Sequence, residues 1–383
     1  MRTLNRELLQ KTLQSRLEED LRYSRVSGAR VLVMQEGKPV CDIAGGYQNW
    51  DEKIPVTDST LFRLASMTKP VTAMAALIAV EKGWFALEDL LSDHMSEFSH
   101  MQVAKVKDGK IIGTEAVKNP LRIWHLLSHC NGMMSSDPIG WEIGEATPAE
   151  AFGSLQTMVE YAATRPLAFE PESYACYTAR VSFDVVARLI ELKSDMAYAD
   201  FLKTYIFEPL GLQDMTYHPS EEQWQRLMLP TDRTDGKGIV TVNMGKHTYE
   251  GLPLTYTCAG AGLVATMADY QVFAQMLQNK GAYSGGRLVS EETFEEMVKP
   301  RVKLGTPGLG PISTWGLGVK VITKEEVLPI GSFGWSGAYG TYFWVDPVNQ
   351  ITAIYLRSSR WYDSHGCGDI GRQFEKDVMA CLQ

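Results

Sequence analysis

Residues 61–70 read Leu-Phe-Arg-Leu-Ala-Ser-Met-Thr-Lys-Pro, and they open an apolar run that continues to Val80 and predicts a helix. Ser66 and Lys69 are three residues apart, so their side chains would lie over the same face of that helix. A serine hydroxyl is a weak nucleophile until a base takes its proton, and a lysine amine held close and partly removed from water can do so. Because S-x-x-K is common by chance, its meaning depends on the rest of the chain.

The composition is that of an ordinary folded protein. Its 383 residues are 45% hydrophobic and 22% charged, which allows one large core or two lobes and does not indicate disorder. The formal net charge is −9, and no run of Lys and Arg occurs. Because phosphate groups need a basic patch, we expect neither a nucleic-acid partner nor binding to an anionic membrane.

The first residues and the cysteines bear on location. A leucine stripe at positions 9, 13, 17 and 21 in a charged segment predicts an amphipathic helix rather than the apolar core of a signal peptide. The apolar stretch after Lys69 is too short to span a bilayer. No C-x-x-C pair occurs, which favours reduced, buried thiols over a disulfide framework or a zinc site. We therefore expect a cytoplasmic protein. The cysteines are Cys41, Cys130, Cys176, Cys258, Cys367 and Cys381.

Strand patterns occur near both ends of the chain. Ala29–Met34 and Pro39–Ala44 are apolar segments on either side of a Glu-Gly-Lys turn, which predicts a hairpin. Thr341–Val345 and Ile351–Leu356 predict a second hairpin close to the other end. These pairs predict one antiparallel sheet built from the two termini.

Helical patterns occupy the middle of the chain. Residues from about 85 to 250 are mostly helical in pattern, with Pro and Gly breaks, and Leu121–Leu127 and Val181–Leu192 are examples. A last amphipathic helix is predicted from about Asp369. Long linkers, internal repeats and low-complexity segments are absent from the sequence.

The predicted fold class is α/β, more strictly α+β: an antiparallel sheet from both termini, flanked by helices, with an inserted and mostly helical lobe. Residues 1–88 and 255–383 would form the α/β domain, and residues 89–254 the helical domain. The site of chemistry would lie at their junction.

Two further segments supply partners for the S-x-x-K sequence. Pro171–Ala179 contains Tyr177 just before a predicted helix, and Phe333–Thr341 contains Trp335-Ser336-Gly337 at a predicted strand. Together the three motifs resemble those of the penicillin-recognising serine hydrolases, which include class C β-lactamases, low-molecular-weight penicillin-binding proteins and family VIII carboxylesterases. The resemblance implies a β-lactamase/transpeptidase-like fold.

The resemblance covers nearly the whole chain. Leu126–Met133 is similar to the family's L-L-x-H-x-S-G-L turn. Gly260–Leu263, with Asp269-Tyr270 after it, resembles the glycine turn before a helix, and Phe343–Pro347 resembles the last hairpin. Several motifs in the expected order are a much stronger signal than any one of them.

The family's roles can be carried over residue by residue. The resemblance makes Ser66 the acylated nucleophile, Lys69 the group that accepts or relays its proton, and Tyr177 the second acid–base group. Lys69 and Tyr177 would titrate as a coupled pair, and either could be the base at rest.

The third motif stands where the family carries K-T-G, H-x-G or W-x-G on an edge strand. By that match, the backbone N–H groups of Ser66 and Ala338 would form the oxyanion hole, each worth about 3–4 kcal/mol. Trp335, Ser336 and Gly337 would contact the substrate, with Gly337 allowing close approach of the backbone.

Three departures from the family pattern stand out, and two of them favour esters over penicillins. Trp335 replaces the lysine that meets a β-lactam carboxylate, and Ala179 replaces the asparagine of Y-x-N. Both changes remove groups suited to an anionic amide substrate. Glu172 stands where relatives often have glycine, in the turn before Tyr177.

We therefore expect a serine hydrolase that cleaves small carboxylic esters through an acyl-enzyme on Ser66, with no cofactor and no metal. The alternatives are a β-lactamase or D-amino-acid peptidase, an acyltransferase, and a non-catalytic, receptor-like binding module. The oligomeric state and the acyl and alcohol preferences are not predicted.

Other motifs point elsewhere and carry less weight. Tyr174 competes with Tyr177 for the acid–base role. His125 and His129 have the spacing of two zinc ligands on a helix, but the glutamate of H-E-x-x-H is absent. Gly260–Ala265 fits the dinucleotide pattern G-x-G-x-x-A, but no buried strand precedes it and no acidic residue follows at the required distance.

Overall fold

The computed structural model describes residues 2–234, 238–242, 244, 252–253, 255–303, 311–359 and 370–383. The strands are β1 Gly28–Gln35, β2 Lys38–Asn49, β3 Ile54–Pro55, β4 Phe62–Arg63, β5 Gln102–Lys107, β6 Lys110–Ala116, β7 Thr231–Thr234, β8 Gly238–Thr241, β9 Val264–Ala265, β10 Ala282–Tyr283, β11 Gly286–Arg287, β12 Ser313–Trp315, β13 Lys320–Ile322, β14 Phe333–Ser336, β15 Tyr342–Asp346 and β16 Ile351–Arg357.

The helices are α1 Arg6–Arg22, α2 Lys69–Glu81, α3 Ile123–Leu127, α4 Pro138–Glu145, α5 Leu155–Ala163, α6 Val181–Ser194, α7 Tyr198–Leu202, α8 Glu208–Leu210, α9 Glu221–Arg226, α10 Met267–Gln278, α11 Glu291–Val298 and α12 Ile370–Met379. Short 3₁₀ turns include Ala65–Thr68, directly before α2.

An antiparallel sheet joins the two ends of the chain. Its strand order is β12-β13-β14-β15-β16-β1-β2-β3, so β1 pairs with β2 on one side and with β16 on the other. All residues of β1 are buried, because helices cover both faces of this part of the sheet. The structure confirms the prediction of one sheet built from both termini, and the hairpins predicted at 29–44 and 341–356.

The two faces of β1 pack against different helices. Val31 and Val33 point into the core formed with α1 and α12, whereas Leu32 and Met34 point into the core that contains α2 and α10. This alternation follows from the two-residue period of a strand. The result is a helix–sheet–helix arrangement, in agreement with the predicted β-lactamase/transpeptidase-like fold.

The helix that carries the S-x-x-K lysine is buried all round. Every residue of α2 from Lys69 to Ala79 is buried, which explains why the run is apolar on all sides rather than along one stripe. The prediction of one helix from Leu61 is wrong. Phe62–Arg63 pairs with β9 instead, and Ala65 has a positive φ of 46°, which a continuous α-helix excludes.

The middle of the chain is less helical than predicted. The helix predicted at Leu121–Leu127 begins at Ile123, and α6 confirms the helix predicted at Val181–Leu192. However, β5 pairs with β6 and β7 pairs with β8, two hairpins that the helical pattern did not indicate. The division into domains at 1–88 with 255–383 and at 89–254 stays a prediction.

Two predictions near the C-terminus fall partly outside the described residues. Cys367 and Asp369 are not among the described residues, and the final helix is described from Ile370. The other five cysteines are buried free thiols, as predicted. Within the described ranges, no helix has the length and apolar character that a membrane crossing requires.

The strand that carries Trp335 is not an edge strand of the whole sheet, contrary to expectation. β13 pairs with β14 at Phe333 and Gly334. That pairing ends at Gly334, so among the described residues Trp335 and Ser336 pair only with β15. The backbone on the other side of these two residues is therefore open locally, as an edge strand would be.

We expect Gly334→Ala to destabilise the protein, because a Cβ there would lie 2.1 Å from the Phe343 carbonyl oxygen and 2.8 Å from the Trp344 Cα. Backbone cannot move aside cheaply, so the loss should be about 1–3 kcal/mol in the free energy of unfolding, measured by chemical denaturation. The control is Gly153→Ala, whose Cβ meets nothing closer than 3.6 Å. Equal stability of the two variants would contradict this role of Gly334 in β14.

Candidate active site

Ser66 lies in the 3₁₀ turn between β4 and α2. The residue before it, Ala65, is buried and adopts a left-handed conformation that an alanine rarely takes. Contacts from β14–β15 hold the turn. The Thr341 hydroxyl donates to the Leu64 carbonyl oxygen at 3.0 Å, and a Cβ on Gly337 would lie 2.2 Å from that same oxygen. The serine turn and the third motif are therefore in direct contact.

Lys69 is fully buried and its amine is surrounded by acceptors. Nζ lies 3.2 Å from Ser66 Oγ, 2.5 Å from the Ala179 carbonyl oxygen and 2.9 Å from the Gly260 carbonyl oxygen. The ring of Phe183 lies 5.1 Å from Nζ. A buried amine needs such partners, because its transfer from water is otherwise costly. These contacts hold the lysine in one position beside the serine.

Tyr177 brings a second proton donor to the same oxygen. Its hydroxyl lies 2.5 Å from Ser66 Oγ, and its ring lies 4.8 Å from Lys69 Nζ. The competing Tyr174 is 38% exposed and packs on Phe169. Of the two tyrosines, the structure therefore places Tyr177 against the serine.

Backbone contacts position the segment that carries Tyr177. The Cys176 N–H donates to the His129 carbonyl oxygen at 3.0 Å, and the Thr178 N–H donates to His129 Nδ1 at 3.1 Å. The Ser136 N–H donates to the Tyr177 carbonyl oxygen at 2.8 Å. The L-L-x-H-x-S-G-L-like turn thus orients the tyrosine.

The geometry fits two distributions of protons. The carbonyl oxygens of Ala179 and Gly260 can only accept, so they occupy two donors of Lys69. A neutral Lys69 has its lone pair left for the Ser66 proton. A charged Lys69 instead donates its third proton to Oγ, and the Ser66 proton then goes to an ionised Tyr177. In both cases Ser66 Oγ lies between two groups that can exchange its proton.

The predicted oxyanion hole consists of the backbone N–H groups of Ser66 and Ala338. Among the described residues the Ala338 N–H makes no hydrogen bond, and Ala338 is exposed at the tip of a turn closed by the Gly340 N–H donating to the Gly337 carbonyl oxygen. Ser66 belongs to the first turn of its 3₁₀ helix, where N–H groups have no helical acceptor. Both groups suit an oxyanion hole.

Trp335 packs against Tyr177. Its ring centre lies 5.4 Å from that of Tyr177 and 4.5 Å from that of Trp315. It is half-buried, as is Ser336. Among the described residues its indole N–H has no hydrogen-bond partner. Trp335 therefore has a packing role, and its contact with substrate stays a prediction.

The two histidines of the zinc-like spacing have structural partners. His125 Nε2 lies 2.8 Å from Glu172 Oε1, and Nδ1 accepts from the Arg122 N–H at 3.0 Å. Burial, and to a smaller extent the charge of Lys69, lower the pKa of His129 well below its usual value, so it is neutral. In the described part of the chain no cluster of three or more His, Cys, Asp or Glu could hold a metal ion.

Glu172 occupies a turn position where relatives often have glycine. Its φ of 64° is the left-handed conformation that glycine adopts easily. The hydrogen bond with His125 and a 3.0 Å bond from its N–H to the Cys130 carbonyl oxygen hold the turn without glycine. The turn before Tyr177 is therefore kept.

The Gly260 turn serves the lysine rather than a nucleotide. A Cβ at Gly260 would lie 2.9 Å from the Ala179 carbonyl oxygen and 3.0 Å from the Arg180 Cα. Only glycine allows this approach, by which both carbonyl groups reach Lys69. Among the described residues, the pattern thus has a structural explanation that involves no cofactor.

Sequence reasoning missed a buried carboxylate and a cavity next to this site. Asp184 is fully buried on α6, where an acidic residue among apolar neighbours was the available signal. A cavity of about 230 Å³ lies beside Ala179 and Asp184. Its apolar wall includes Met134, Trp141, Phe152, Met158 and Tyr256.

Comparisons with known proteins bear on the family and the fold of this chain. An uncharacterised protein of Mycobacterium tuberculosis is 29% identical over 86% of this chain and 85% of its own length. Esterase EstB of Burkholderia gladioli is 23% identical over 91% of this chain and 90% of its own length. The solved structure of EstCE1, a hydrolase with promiscuous acyltransferase activity, covers 98% of both chains at 22% identity with a TM-score of 0.79.

The family model for Beta-lactamase matches residues 13–370, which is most of the chain and includes every motif of the site. The resemblance inferred from the sequence is confirmed, and the fold agrees with that of a solved family VIII carboxylesterase at a TM-score of 0.75. The chain belongs to the β-lactamase family of serine hydrolases.

Proposed function

We propose that this protein cleaves small carboxylic esters through an acyl-enzyme on Ser66. One observation carries the proposal: Lys69 Nζ and the Tyr177 hydroxyl both lie within hydrogen-bond distance of Ser66 Oγ, at 3.2 and 2.5 Å. A hydroxyl between two groups that can accept or return its proton is an activated nucleophile.

The reaction follows from these positions. Ser66 Oγ attacks the ester carbonyl carbon while its proton passes to the Lys69–Tyr177 unit. The N–H groups of Ser66 and Ala338 receive the negative charge on the carbonyl oxygen. The intermediate then expels the alcohol, which takes a proton from Tyr177. Water repeats the same steps on the acyl-enzyme, releasing the acid and restoring Ser66.

The aromatic surroundings support an uncharged ester. Trp335 and Trp315 pack beside Tyr177, and no lysine occupies the third motif. Ala179 has no amide side chain to hold a peptide or lactam, since only its carbonyl group takes part, as an acceptor for Lys69. The similarity to Esterase EstB points in the same direction.

Acyl transfer is the second candidate. It uses the same acyl-enzyme and differs only in whether water or another alcohol or amine attacks it. The structural neighbour EstCE1 is a hydrolase with promiscuous acyltransferase activity, which favours keeping this candidate. Lactam or D-amino-acid amide cleavage and a receptor-like role remain alternatives that the first experiment separates.

The proposal includes the setting of the site. Ser66 and Lys69 come from the sheet-forming part at 1–88 and 255–383, and Tyr177 from the part at 89–254, so the active site would lie at their junction. A cytoplasmic location is also proposed, and the five buried free thiols among the described residues support it.

A panel of p-nitrophenyl esters of increasing acyl length, with a chromogenic cephalosporin beside it, tests the substrate class. We expect turnover of short esters, cephalosporin turnover at least 100-fold slower, and loss of both in Ser66→Ala. A fluorophosphonate probe should label the wild type at Ser66 and leave Ser66→Ala unlabelled.

Each outcome of that panel separates two hypotheses. Cephalosporin turnover equal to ester turnover would reject the ester preference. Absence of a fluorophosphonate adduct on Ser66 would reject the mechanism and favour a receptor-like role. Transfer of the acyl group to added methanol in preference to water would favour the acyltransferase.

Tyr177→Phe tests the acid–base role. We expect kcat to fall about 10²- to 10⁴-fold with KM changed less than about threefold, because the ring and its packing remain while the proton relay is lost. Tyr174→Phe is the matched control and should keep wild-type kcat, since Tyr174 packs on Phe169 at the surface. The opposite result would move the role to Tyr174.

A further inference from the structure

Asp184 is a fully buried carboxylate in the first turn of α6. Its Oδ1 accepts from the Ala259 N–H at 2.8 Å, and its Oδ2 accepts from the Tyr256 hydroxyl. Both donors belong to the segment just before the glycine turn. A buried carboxylate is retained only where hydrogen bonds offset its loss of water, so these contacts call for an explanation.

The Ala259 residue is held from two sides. The Ala259 N–H donates to Asp184, and the Ala259 carbonyl oxygen accepts from the Thr72 hydroxyl at 2.7 Å. Thr72 lies one turn beyond Lys69 on α2. The next carbonyl along the chain is that of Gly260, which accepts from Lys69 Nζ at 2.9 Å. The Ala261 N–H, in the same peptide unit as that carbonyl, donates to the Cys258 carbonyl oxygen at 3.1 Å. The fixed Ala259 backbone and this bond together constrain where the Gly260 carbonyl points.

Asp184 also sits beside the second lysine acceptor. It follows Ala179 by five residues, and the Ala179 carbonyl oxygen lies 2.5 Å from Lys69 Nζ. The side chain thus ties the start of α6 to the Ala259–Gly260 segment. These are the two pieces of backbone between which the lysine amine is held.

We propose that Asp184 is a positioning residue that fixes the Gly260 carbonyl against Lys69, and through it holds Lys69 Nζ beside Ser66 Oγ. This inference rests on the proposed function. A carboxylate suits the task because both of its oxygens accept, matching the two donors of Ala259 and Tyr256. An asparagine offers one acceptor only, and its amide nitrogen cannot accept from the second donor.

The charge of Asp184 provides a separate readout. Burial raises the pKa of Asp184 to about 6, while the hydrogen bonds from Tyr256 and Ala259 oppose that rise. The carboxylate therefore takes up a proton as pH falls through about 6. The protonated oxygen then carries a hydrogen of its own and no longer accepts equally well from Tyr256 or Ala259. The charged or titratable groups that face it are Lys69, Arg180, Tyr198, Tyr217, Tyr256 and Cys258.

The test compares Asp184→Asn and Tyr256→Phe with Ser182→Ala as the matched control. Ser182 is buried two residues earlier on α6, and among the described residues its hydroxyl has no hydrogen-bond partner. With a short p-nitrophenyl ester, we expect kcat to fall about 10- to 100-fold in Asp184→Asn and less in Tyr256→Phe. KM should change less than threefold, and Ser182→Ala should match the wild type.

Two further measurements distinguish positioning from simple destabilisation. The decline of wild-type kcat below about pH 6 should be absent from the Asp184→Asn profile and present in that of Ser182→Ala. The rate of fluorophosphonate labelling of Ser66 should fall in Asp184→Asn as kcat does. If Asp184→Asn does not fold, a reduced labelling rate in folded Tyr256→Phe supports the proposal, and an unchanged rate overturns it.

The outcomes separate this inference from the proposed function. Wild-type kcat, pH profile and labelling rate in folded Asp184→Asn would overturn the positioning role alone. A raised KM with unchanged kcat would also overturn it, since Asp184 would then act as a wall of the adjoining cavity. Efficient labelling of wild-type Ser66 without ester turnover would reject the ester proposal. In that case the labelling rates of the wild type and Asp184→Asn would still decide the role of Asp184.

Discussion

The arrangement of the whole site depends on the burial of one lysine amine. Lys69 has no access to water, so its nitrogen must find acceptors within the protein, and it finds the carbonyl oxygens of Ala179 and Gly260. Those two residues come from distant parts of the chain and meet around this nitrogen. Because Lys69 Nζ donates to both carbonyl oxygens, the amine is held in one position beside Ser66 Oγ.

The remaining parts of the site are built around that contact. The Ala65 turn, with its positive φ, presents Ser66 to the lysine and to Tyr177, and the Thr341 hydroxyl holds that turn through the Leu64 carbonyl. An L-residue stays in a left-handed conformation only where its surroundings compensate the strain. The third motif thereby stabilises the turn that carries Ser66.

The aromatic residues beside Tyr177 form an apolar cluster around its ring. Trp315 and Trp335 contact the tyrosine ring, and His129, which is neutral because burial and Lys69 lower its pKa, packs on the same ring. A lysine in place of Trp335 would add a charge to this cluster. Trp335 therefore keeps the surroundings of the Tyr177 ring apolar.

Local patterns in the chain were sufficient to predict the S-x-x-K pair, both terminal hairpins and helix α6, because strand alternation and helical spacing depend on near neighbours alone. The family was predicted from the resemblance of several motifs that occur in the expected order. Local patterns were insufficient for the strand at Phe62–Arg63, the hairpin β5–β6 and the contacts of Asp184. The first and the last of these depend on partners far along the chain: Val264–Ala265 pairs with β4, and both Ala259 and Tyr256 donate to Asp184.

The identity and the spacing of Ser66 and Lys69 can be read from the sequence alone. Only the folded chain removes the lysine from water and brings Tyr177, Ala179 and Gly260 to it, and it is this loss of water that turns a common spacing into a candidate catalytic site.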